Sequence, residues 1–574
     1  MWLVRRAIAG VLLLALAGGP VSSAPAAQPT ATGRGLAAAT LDAHATSAAI
    51  QVMQAGGNAV DGAVAASAMI GVTAPYTCGI GGGGFMVIYL AREQRVATVD
   101  QRETAPRAVS PTLFLEADGQ PIPFSQQVTS GLAVGVPGLV RGWELALGQY
   151  GRLTLADDLQ PAIQVADDGF DVNATFAAQT AANAGRFSAF TSTSDLFLRG
   201  GALGEGSRFR NPDLAATYRM LAQDGAPAFY AGALANAIVD TVQHPPLATA
   251  RSGVRAGSME LADLAEYAAL LRAPVVTHYH DVTVYGMDLP SSGGPTVGLA
   301  LNLLDGFDLA SMARPEALHH LIEAERLGFA DRNAFMADPA FVPAPLGGLL
   351  SPGYAAERRQ QIASRASSGP VAPGDPFRVD PGASSGREGM STTHITVADG
   401  DGNIVAYTCT IEEIGGSGMV VPGYGFLLNN ELTDFDDDPT SPNAPNARKR
   451  PRSSMSPTLI VRDAQPLLAV GSPGGPTIIT TVLHVLVNVL DFGLDLPSAV
   501  AAPRLSQRNL ATTAAEPALS ASPDGRALAA LGHRFTNEGQ LGAVTGIAFN
   551  ADGSRTAVAE PLRLGGGAAL VQEP

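Results

Sequence analysis

The chemistry available to this chain centres on Thr392 and Thr393, a pair that follows a polar segment and begins a predicted strand. A threonine hydroxyl is a poor nucleophile until a base takes its proton. No Ser-His-Asp set is evident, and Gly-Ser-Pro-Gly-Gly at 471–475 lacks the spacing of a nucleophile elbow. A cut just before Thr392 would free an α-amino group, with an ordinary pKa of about 7.7–8.0, beside its own hydroxyl. Threonine pairs also begin strands without any catalytic role.

Metal and thiol chemistry have less support. The sequence holds no His-Glu-x-x-His and no Cys-x-x-Cys motif, so we expect neither a metal nor a cofactor. His319 and Glu323 lie in an apolar helical pattern and are typical of a helix with a polar edge. Cys78 and Cys409 are the two cysteines. An oxidising compartment would permit a bridge between them, but the sequence leaves their pairing open.

Composition and charge exclude other classes of protein. Of the 574 residues, 46% are hydrophobic and 15% are charged, which is a globular composition. The net charge of −16 argues against a nucleic-acid partner, because phosphate binding requires a basic face.

The first residues have the pattern of a bacterial export signal. Arg5 and Arg6 precede the apolar run 7–16, and Ala-Pro-Ala at 24–26 offers small residues for cleavage. We therefore predict a signal peptide at 1–26 and a periplasmic or secreted protein with no stable membrane anchor, since the apolar run is short. An uncleaved anchor is the alternative.

Periodicity and turn residues suggest how the rest of the chain is organised. Two helices of small residues are predicted over 35–75, and mainly helices over 135–340. The glycine run 81–84 precedes a strand at 85–90 and lacks the Lys-Ser/Thr of a P-loop, so it predicts close backbone packing. The polar stretch 366–391 predicts an exposed, flexible segment.

Beyond that stretch the pattern changes from helical to alternating. It predicts strands at 393–397, 404–411, 458–462, 466–471, 543–549 and 556–560, with one helix at 477–491. Stacked antiparallel sheets with helices outside them, an α/β (α+β) class, fit this mixture.

The second half of the chain also carries a known motif. Thr-Thr-His-Ile-Thr-Val at 392–397, Gly402-Asn403 and Thr-Cys-Thr-Ile-Glu at 408–412 closely resemble the γ-glutamyltransferase signature. Similar motifs extend over nearly the whole chain: Gly-Gly-Asn-Ala-Val-Asp at 56–61, Arg-Glu-Thr-Ala-Pro at 102–106, Val-Pro-Gly at 136–138, Pro-Ser-Ser-Gly-Gly at 290–294, Ala-Asp-Arg at 330–332, Leu-Leu-Asn-Asn-Glu at 427–431, Ser-Ser-Met-Ser-Pro at 453–457 and the glycines of 471–475.

The resemblance implies the four-layer αββα sandwich of N-terminal-nucleophile hydrolases. It implies autocleavage between Ser391 and Thr392. The products would be a large subunit, 27–391, and a small catalytic subunit, 392–574, which remain together as one αββα heterodimer.

The same resemblance implies catalytic roles. Thr392 would be the nucleophile, with its own α-amino group as the base, and the Thr410 hydroxyl would orient it. The backbone N–H groups of Gly474 and Gly475 would form an oxyanion hole, where one donor is typically worth about 10²–10³ in rate.

Substrate-binding roles follow from the family as well. Arg102, Ser453 and Ser454 would hold the α-carboxylate of the substrate, since a guanidinium fork matches a carboxylate. Glu412, Glu431 and Asp434 would face the α-ammonium group. Without the family, Arg102 would be interpreted as a surface ion pair and Asp434 as part of a solvated acidic loop.

The function so implied is that of a γ-glutamyltransferase and glutathione hydrolase. The enzyme would take the γ-glutamyl group from glutathione or another γ-glutamyl amide and pass it to water, an amino acid or a peptide. One alternative is a cephalosporin (glutaryl) acylase of the same superfamily, whose substrate lacks the ammonium group and would leave the acidic trio unpaired. A second alternative is an inactive exported binding protein, against which the complete set of catalytic residues argues.

Overall fold

The structure is a computed structural model that describes residues 29–201, 203–248, 253–376 and 391–573. The predicted signal peptide at 1–26 and most of the polar segment 366–391 lie outside the described residues. Within the described ranges, no helix combines the length and the apolar character needed to cross a lipid bilayer.

Most strands belong to two central sheets. The strands are β1 Thr30–Gly33, β2 Leu36–Thr40, β3 Gly83–Leu90, β4 Arg95–Asp100, β5 Phe170–Asp171, β6 Arg208–Phe209, β7 Leu270–Arg272, β8 Val275–Tyr279, β9 Val282–Gly286, β10 Thr393–Ala398, β11 Ile404–Thr410, β12 Thr458–Arg462, β13 Gln465–Gly471, β14 Leu505–Ser506, β15 Thr513–Ala515, β16 Phe535–Asn537, β17 Thr545–Phe549, β18 Arg555–Ala559 and β19 Ala568–Gln572. Sheet A has the order β19-β2-β10-β11-β3-β4-β7, and sheet B the order β1-β18-β17-β13-β12-β9-β8.

α-Helices make up most of the remaining secondary structure of the described chain. They are α1 Ala43–Gln54, α2 Ala59–Thr73, α3 Phe124–Val128, α4 Leu139–Tyr150, α5 Leu155–Asp168, α6 Ala174–Phe187, α7 Thr191–Phe197, α8 Pro212–Asp224, α9 Pro227–Tyr230, α10 Gly232–Gln243, α11 Leu261–Glu266, α12 Gly293–Leu304, α13 Arg314–Phe335, α14 Leu346–Leu349, α15 Pro352–Arg359, α16 Thr477–Leu490, α17 Leu496–Ala501, α18 Pro517–Ser520 and α19 Pro523–Ala530.

The elements stack as helix, sheet, sheet, helix. Helices α1 and α2 pack on sheet A, α12 and α16 pack on sheet B, and β10 and β11 face β17 and β13 across the interior. Strand β3 is buried throughout and contributes to both cores: Met86 and Ile88 point to the α2 side, Phe85 and Val87 to sheet B. This alternation follows from the two-residue period of a strand. The predicted αββα class is confirmed.

The hairpin β10–β11 fixes where the conspicuous threonines lie. Its register pairs Thr393 with Cys409. The turn is closed by Asp399, whose Oδ1 accepts backbone hydrogen bonds from Asp401 and Asn403, both 2.9 Å long. Thr392 therefore enters the sheet beside the last residue of β11, Thr410.

Two predictions of secondary structure are wrong in part. Residues 36–40, expected at the start of a helix, form β2, because their place between β19 and β10 overrides the weak strand preference of alanine. Residues 275–286, within a stretch expected to be mainly helical, form the hairpin β8–β9. Alternate residues of β8 are buried, a two-residue period that the helical interpretation missed.

The glycine run 81–84 packs backbone against backbone, as predicted. A Cβ on Gly81 would overlap the carbonyl of Leu427, and one on Gly82 would overlap the carbonyl of Thr410. Glycine at these positions therefore lets this earlier part of the chain approach the end of β11.

We expect Gly82→Ala to displace Thr410 and to destabilise the protein by about 1–3 kcal/mol, the usual cost of overpacking. Gly79→Ala is the matched control, since its Cβ would lie 3.8 Å from the nearest atom, the Cα of Gly71. Thermal unfolding and the extent of cleavage before Thr392 measure the effect. Equal behaviour of the two variants would contradict the packing role of Gly82.

Candidate active site

The hydroxyl of Thr392 lies against the peptide bond that precedes it. Thr392 Oγ1 contacts the Ser391 carbonyl oxygen and lies 3.4 Å from Thr410 Oγ1. Thr410 Oγ1 donates to the same carbonyl at 3.0 Å and accepts from the backbone N–H of Glu412 at 2.8 Å. The two threonines and the Ser391 carbonyl thus form one buried hydrogen-bonded group.

Two backbone N–H groups lie just before the start of α16. Gly474 and Gly475 have φ values of 131° and 54°, which a side chain would oppose. Among the described residues, neither N–H has a hydrogen-bond acceptor. Gly475 lines the cavity next to Thr392, and the positive end of the α16 dipole adds to its potential. This arrangement suits an oxyanion.

A buried arginine of the cavity is paired directly with two carboxylates. Arg102 follows β4, where its backbone N–H donates to Asp100 Oδ1 at 2.9 Å. Its two terminal nitrogens contact Glu431 and Asp434, which belong to one short helical turn. Burial alone would lower the pKa of Arg102, but the charges of Glu431 and Asp434 raise it, so the guanidinium stays charged.

A third carboxylate, that of Glu412, completes the acidic side. Glu412 has a φ of 81°, an unusual conformation for a side chain, and its Oε2 accepts from the Asn430 amide. Burial, and next the nearby Glu413, raise the pKa of Glu412 well above its ordinary value. Burial also raises the pKa of Glu431. Burial therefore opposes ionisation of Glu412, whereas Glu431 and Asp434 are ion-paired with Arg102.

Arg332, for which the sequence suggests no role, holds Ser453 and Ser454 in place. Arg332 donates to Ser454 Oγ at 2.8 Å and to Ser292 Oγ at 2.8 Å. The Ser292 hydroxyl in turn donates to the Ser453 carbonyl at 2.6 Å. In the sequence only the Ala-Asp-Arg motif at 330–332 points to this residue. The motif lies on the buried helix α13, far from Ser454 in the sequence, so the contact could not be predicted from it.

The structure brings the predicted site residues into one cavity. The lining comprises Arg102, Ser391, Thr392, Thr410, Glu412, Glu431, Asp434, Ser453, Ser454, Met455, Gly475 and Ile478. Gly474 immediately precedes the lining residue Gly475. Met455 and Ile478 were not predicted, because apolar residues give no chemical signal.

The arrangement of charges is complementary to an amino-acid zwitterion. A ligand carboxylate can replace the carboxylates on Arg102, while a ligand ammonium group can pair with the carboxylates so released. The acyl carbon attached to such a group would lie towards Thr392. The cavity can therefore bind an amino acid that carries an acyl group in its side chain and place that group near the Thr392 hydroxyl.

A second cluster contains residue types that bind metals, but these residues hydrogen bond to one another and to their buried neighbours. His319, Glu323 and His533 are buried with potential ligand atoms within 4.8 Å of one another. His319 and His533 are hydrogen bonded at 2.8 Å, and His319 also bonds the Ala363 carbonyl at 2.7 Å. Arg326, 3.3 Å from Glu323, places a positive charge where a cation would have to bind.

Comparison with known proteins agrees with the geometry. The gamma-glutamyltranspeptidase family profile matches residues 45–570. The chain is 37% identical over 542 residues to the glutathione hydrolase proenzyme of Bacillus subtilis, covering 92% of this chain and 90% of that protein. It is 34% identical over 543 residues to the Acylase ACY 1 proenzyme of a Pseudomonas species, covering 92% and 93%. The cephalosporin acylase of Bacillus halodurans superposes with a TM-score of 0.85 at 26% identity, covering 98% and 100%.

We expect glutamate, a zwitterion, to displace about one proton from the protein when it binds, because its ammonium group favours ionised carboxylates. The affinity for glutamate should therefore rise with pH until the pH exceeds the raised pKa of Glu412. Calorimetry in two buffers of different ionisation enthalpy counts the protons, and Glu412→Gln should release fewer. Heats that are independent of the buffer would contradict the protonation assigned to Glu412.

Proposed function

The chain belongs to the γ-glutamyltranspeptidase family, and we propose that Thr392 is the nucleophile of its active site. The protein is a γ-glutamyltransferase and glutathione hydrolase made as a proenzyme. The observation that carries the proposal is the position of the Thr392 hydroxyl, between the Ser391 carbonyl and a cavity that holds Arg102, Glu431 and Asp434.

Maturation uses the same hydroxyl. Thr392 Oγ1 attacks the Ser391 carbonyl carbon, and the C–N bond breaks as the acyl group moves from nitrogen to oxygen. Water then hydrolyses the ester, which leaves a carboxylate on Ser391 and a free amine on Thr392. The Thr410 hydroxyl, 3.0 Å from the Ser391 carbonyl oxygen, stabilises the charge that develops there.

The free amine then acts as the base for catalysis. It takes the proton of the Thr392 hydroxyl, which attacks the γ-carbonyl of the substrate. The N–H groups of Gly474 and Gly475 stabilise the oxyanion, and the leaving amine, Cys-Gly for glutathione, takes the proton. Water or the amine of an amino acid or peptide next attacks the γ-glutamyl ester and restores the enzyme.

Recognition relies on an exchange of ion pairs. The α-carboxylate of the substrate binds Arg102 and the hydroxyls of Ser453 and Ser454, while the α-ammonium binds Glu412, Glu431 and Asp434. Removing one member of a buried charged pair costs about 2–5 kcal/mol, so a ligand that lacks either charge is strongly disfavoured.

The proposed products of maturation are a large subunit, 27–391, and a small subunit, 392–574, in one heterodimer. Amino acids and peptides are the proposed acceptors. The signal-peptide pattern at 1–26 supports export to the periplasm or the medium.

Acylase activity is the second candidate, because an acylase proenzyme is 34% identical and a cephalosporin acylase has a similar fold. Asp434→Asn tests it. The change removes a negative charge that a glutaryl substrate, with no ammonium, leaves unpaired. We expect kcat/KM for γ-glutamyl amides to fall by about tenfold or more, and the glutaryl-to-γ-glutamyl ratio to rise. A ratio that does not move would argue against the ammonium site.

Maturation gives a direct test of the nucleophile. Thr392→Ala should remain a single inactive chain, because no hydroxyl is present to attack Ser391. Thr392→Ser should be cleaved slowly, since it keeps the hydroxyl without the methyl that restricts its rotamer. N-terminal sequencing of the smaller chain should begin at residue 392. Another starting residue, or full activity in an uncut chain, would refute the mechanism.

A further inference from the structure

Cys78 and Cys409, whose pairing the sequence left open, form a disulfide. Their Cα atoms are 5.6 Å apart, within the usual range for a bridge, and both residues are fully buried. The hydroxyl of Ser67 on α2 lies 3.9 Å from the Cys78 sulfur and 3.8 Å from the Cys409 sulfur. The bridge is thus part of the core between α2 and sheet A.

The two cysteines lie on opposite sides of the proposed cut. They are separated by 331 residues, with Cys78 in the stretch before Ser391 and Cys409 in the stretch after Thr392. We propose that this disulfide becomes a covalent tether between the large and small subunits once the chain is cut. The inference rests on the proposed cleavage and adds to it the way in which the products stay joined.

The tether joins two segments that both lie beside the proposed cut. Cys78 belongs to the loop after α2, where the carbonyl of Tyr76 accepts from the Ser391 hydroxyl at 3.1 Å and from the Gly415 N–H at 2.8 Å. Cys409 lies in β11, immediately before Thr410. The bridge therefore holds the strand that carries Thr410 against a loop of the large subunit.

Non-covalent contacts also join the subunits in the native state, because β10 and β11 pair with β2 and β3. These contacts are lost when the protein opens, and two untethered chains would then separate. A tether makes reassociation intramolecular, so it no longer depends on protein concentration. The main effect of the tether is therefore to lengthen the time for which the processed enzyme stays active.

Formation of the bridge needs an oxidant. Two thiols lose two electrons and two protons, and a protein disulfide of an oxidising compartment accepts them by thiol–disulfide exchange and leaves as a dithiol. The uncut chain already holds the two sulfurs together, so the bridge can form before cleavage. Burial then restricts access of reductants to it.

Gel electrophoresis of the exported, purified enzyme tests the tether. Thiols are blocked with iodoacetamide, and the protein is denatured with or without reductant. We expect one band of the size of the whole chain without reductant and two bands with it. Two bands in both lanes would overturn the tether. One band in both lanes would show that cleavage has failed, and with it the proposed maturation.

Variants separate the bridge from its surroundings. Cys409→Ala should give two bands even without reductant, whereas Ser67→Ala, which alters a neighbour of both sulfurs, should keep one. At a temperature that inactivates the wild type slowly, Cys409→Ala should lose activity several-fold faster, and faster still after tenfold dilution. The half-life of the wild type should not change with dilution. Equal half-lives of the two proteins at both concentrations would refute the role in persistence.

Discussion

The register of the hairpin β10–β11 is the constraint on which the site depends. Because Thr393 pairs with Cys409, Thr392 and Thr410 meet at the open end of the hairpin, and both hydroxyls contact the Ser391 carbonyl. A slip of one residue would turn every side chain to the other face of a strand that is buried throughout. The glycines at 81–84 allow the start of β3 to pack against Thr410. Strand β3 pairs with β4, and Arg102 follows β4. The same packing of strands therefore determines the positions of both the proposed nucleophile and the cavity beside it.

Buried charge explains why the cavity should select zwitterions. Arg102 is fully buried, and leaving such a charge without a partner typically costs about 3–5 kcal/mol. In the empty site Glu431 and Asp434 supply the partners. A ligand with only a carboxylate would displace those acids and leave them unpaired, whereas one with only an ammonium group would leave Arg102 unpaired. A zwitterion supplies both charges, and a proton on Glu412 reduces the negative charge that remains among the three carboxyl groups.

The sequence predicted the elements better than their contacts. Alternation at 393–397 and 404–411 identified the hairpin, and the long apolar run at 477–491 identified α16, because each is a local pattern. Residues 36–40 were misassigned, since alanine takes its structure from its neighbours. Arg102 and Glu431 are 329 residues apart in the sequence, and Arg332 and Ser454 are 122 apart. A local sequence pattern carries no information about contacts at such separations. The predicted site was assembled through family motifs, whereas Arg332, a motif residue without an assigned role, was missed.

A cut inside a folded domain would ordinarily release a strand, and three features oppose this outcome. Sheet A interleaves strands from both sides of the cut, in the order β2-β10-β11-β3, so that neither product keeps a complete sheet without the other. The new end at Thr392 lies where Thr410 can still hold it. The disulfide at Cys409 lies one residue from Thr410 and, after the proposed cut, would bind that strand to the other chain. The proposed break would therefore free an amine at Thr392 while the strand that carries Thr410 stays in place, which is what a base generated by cleavage requires.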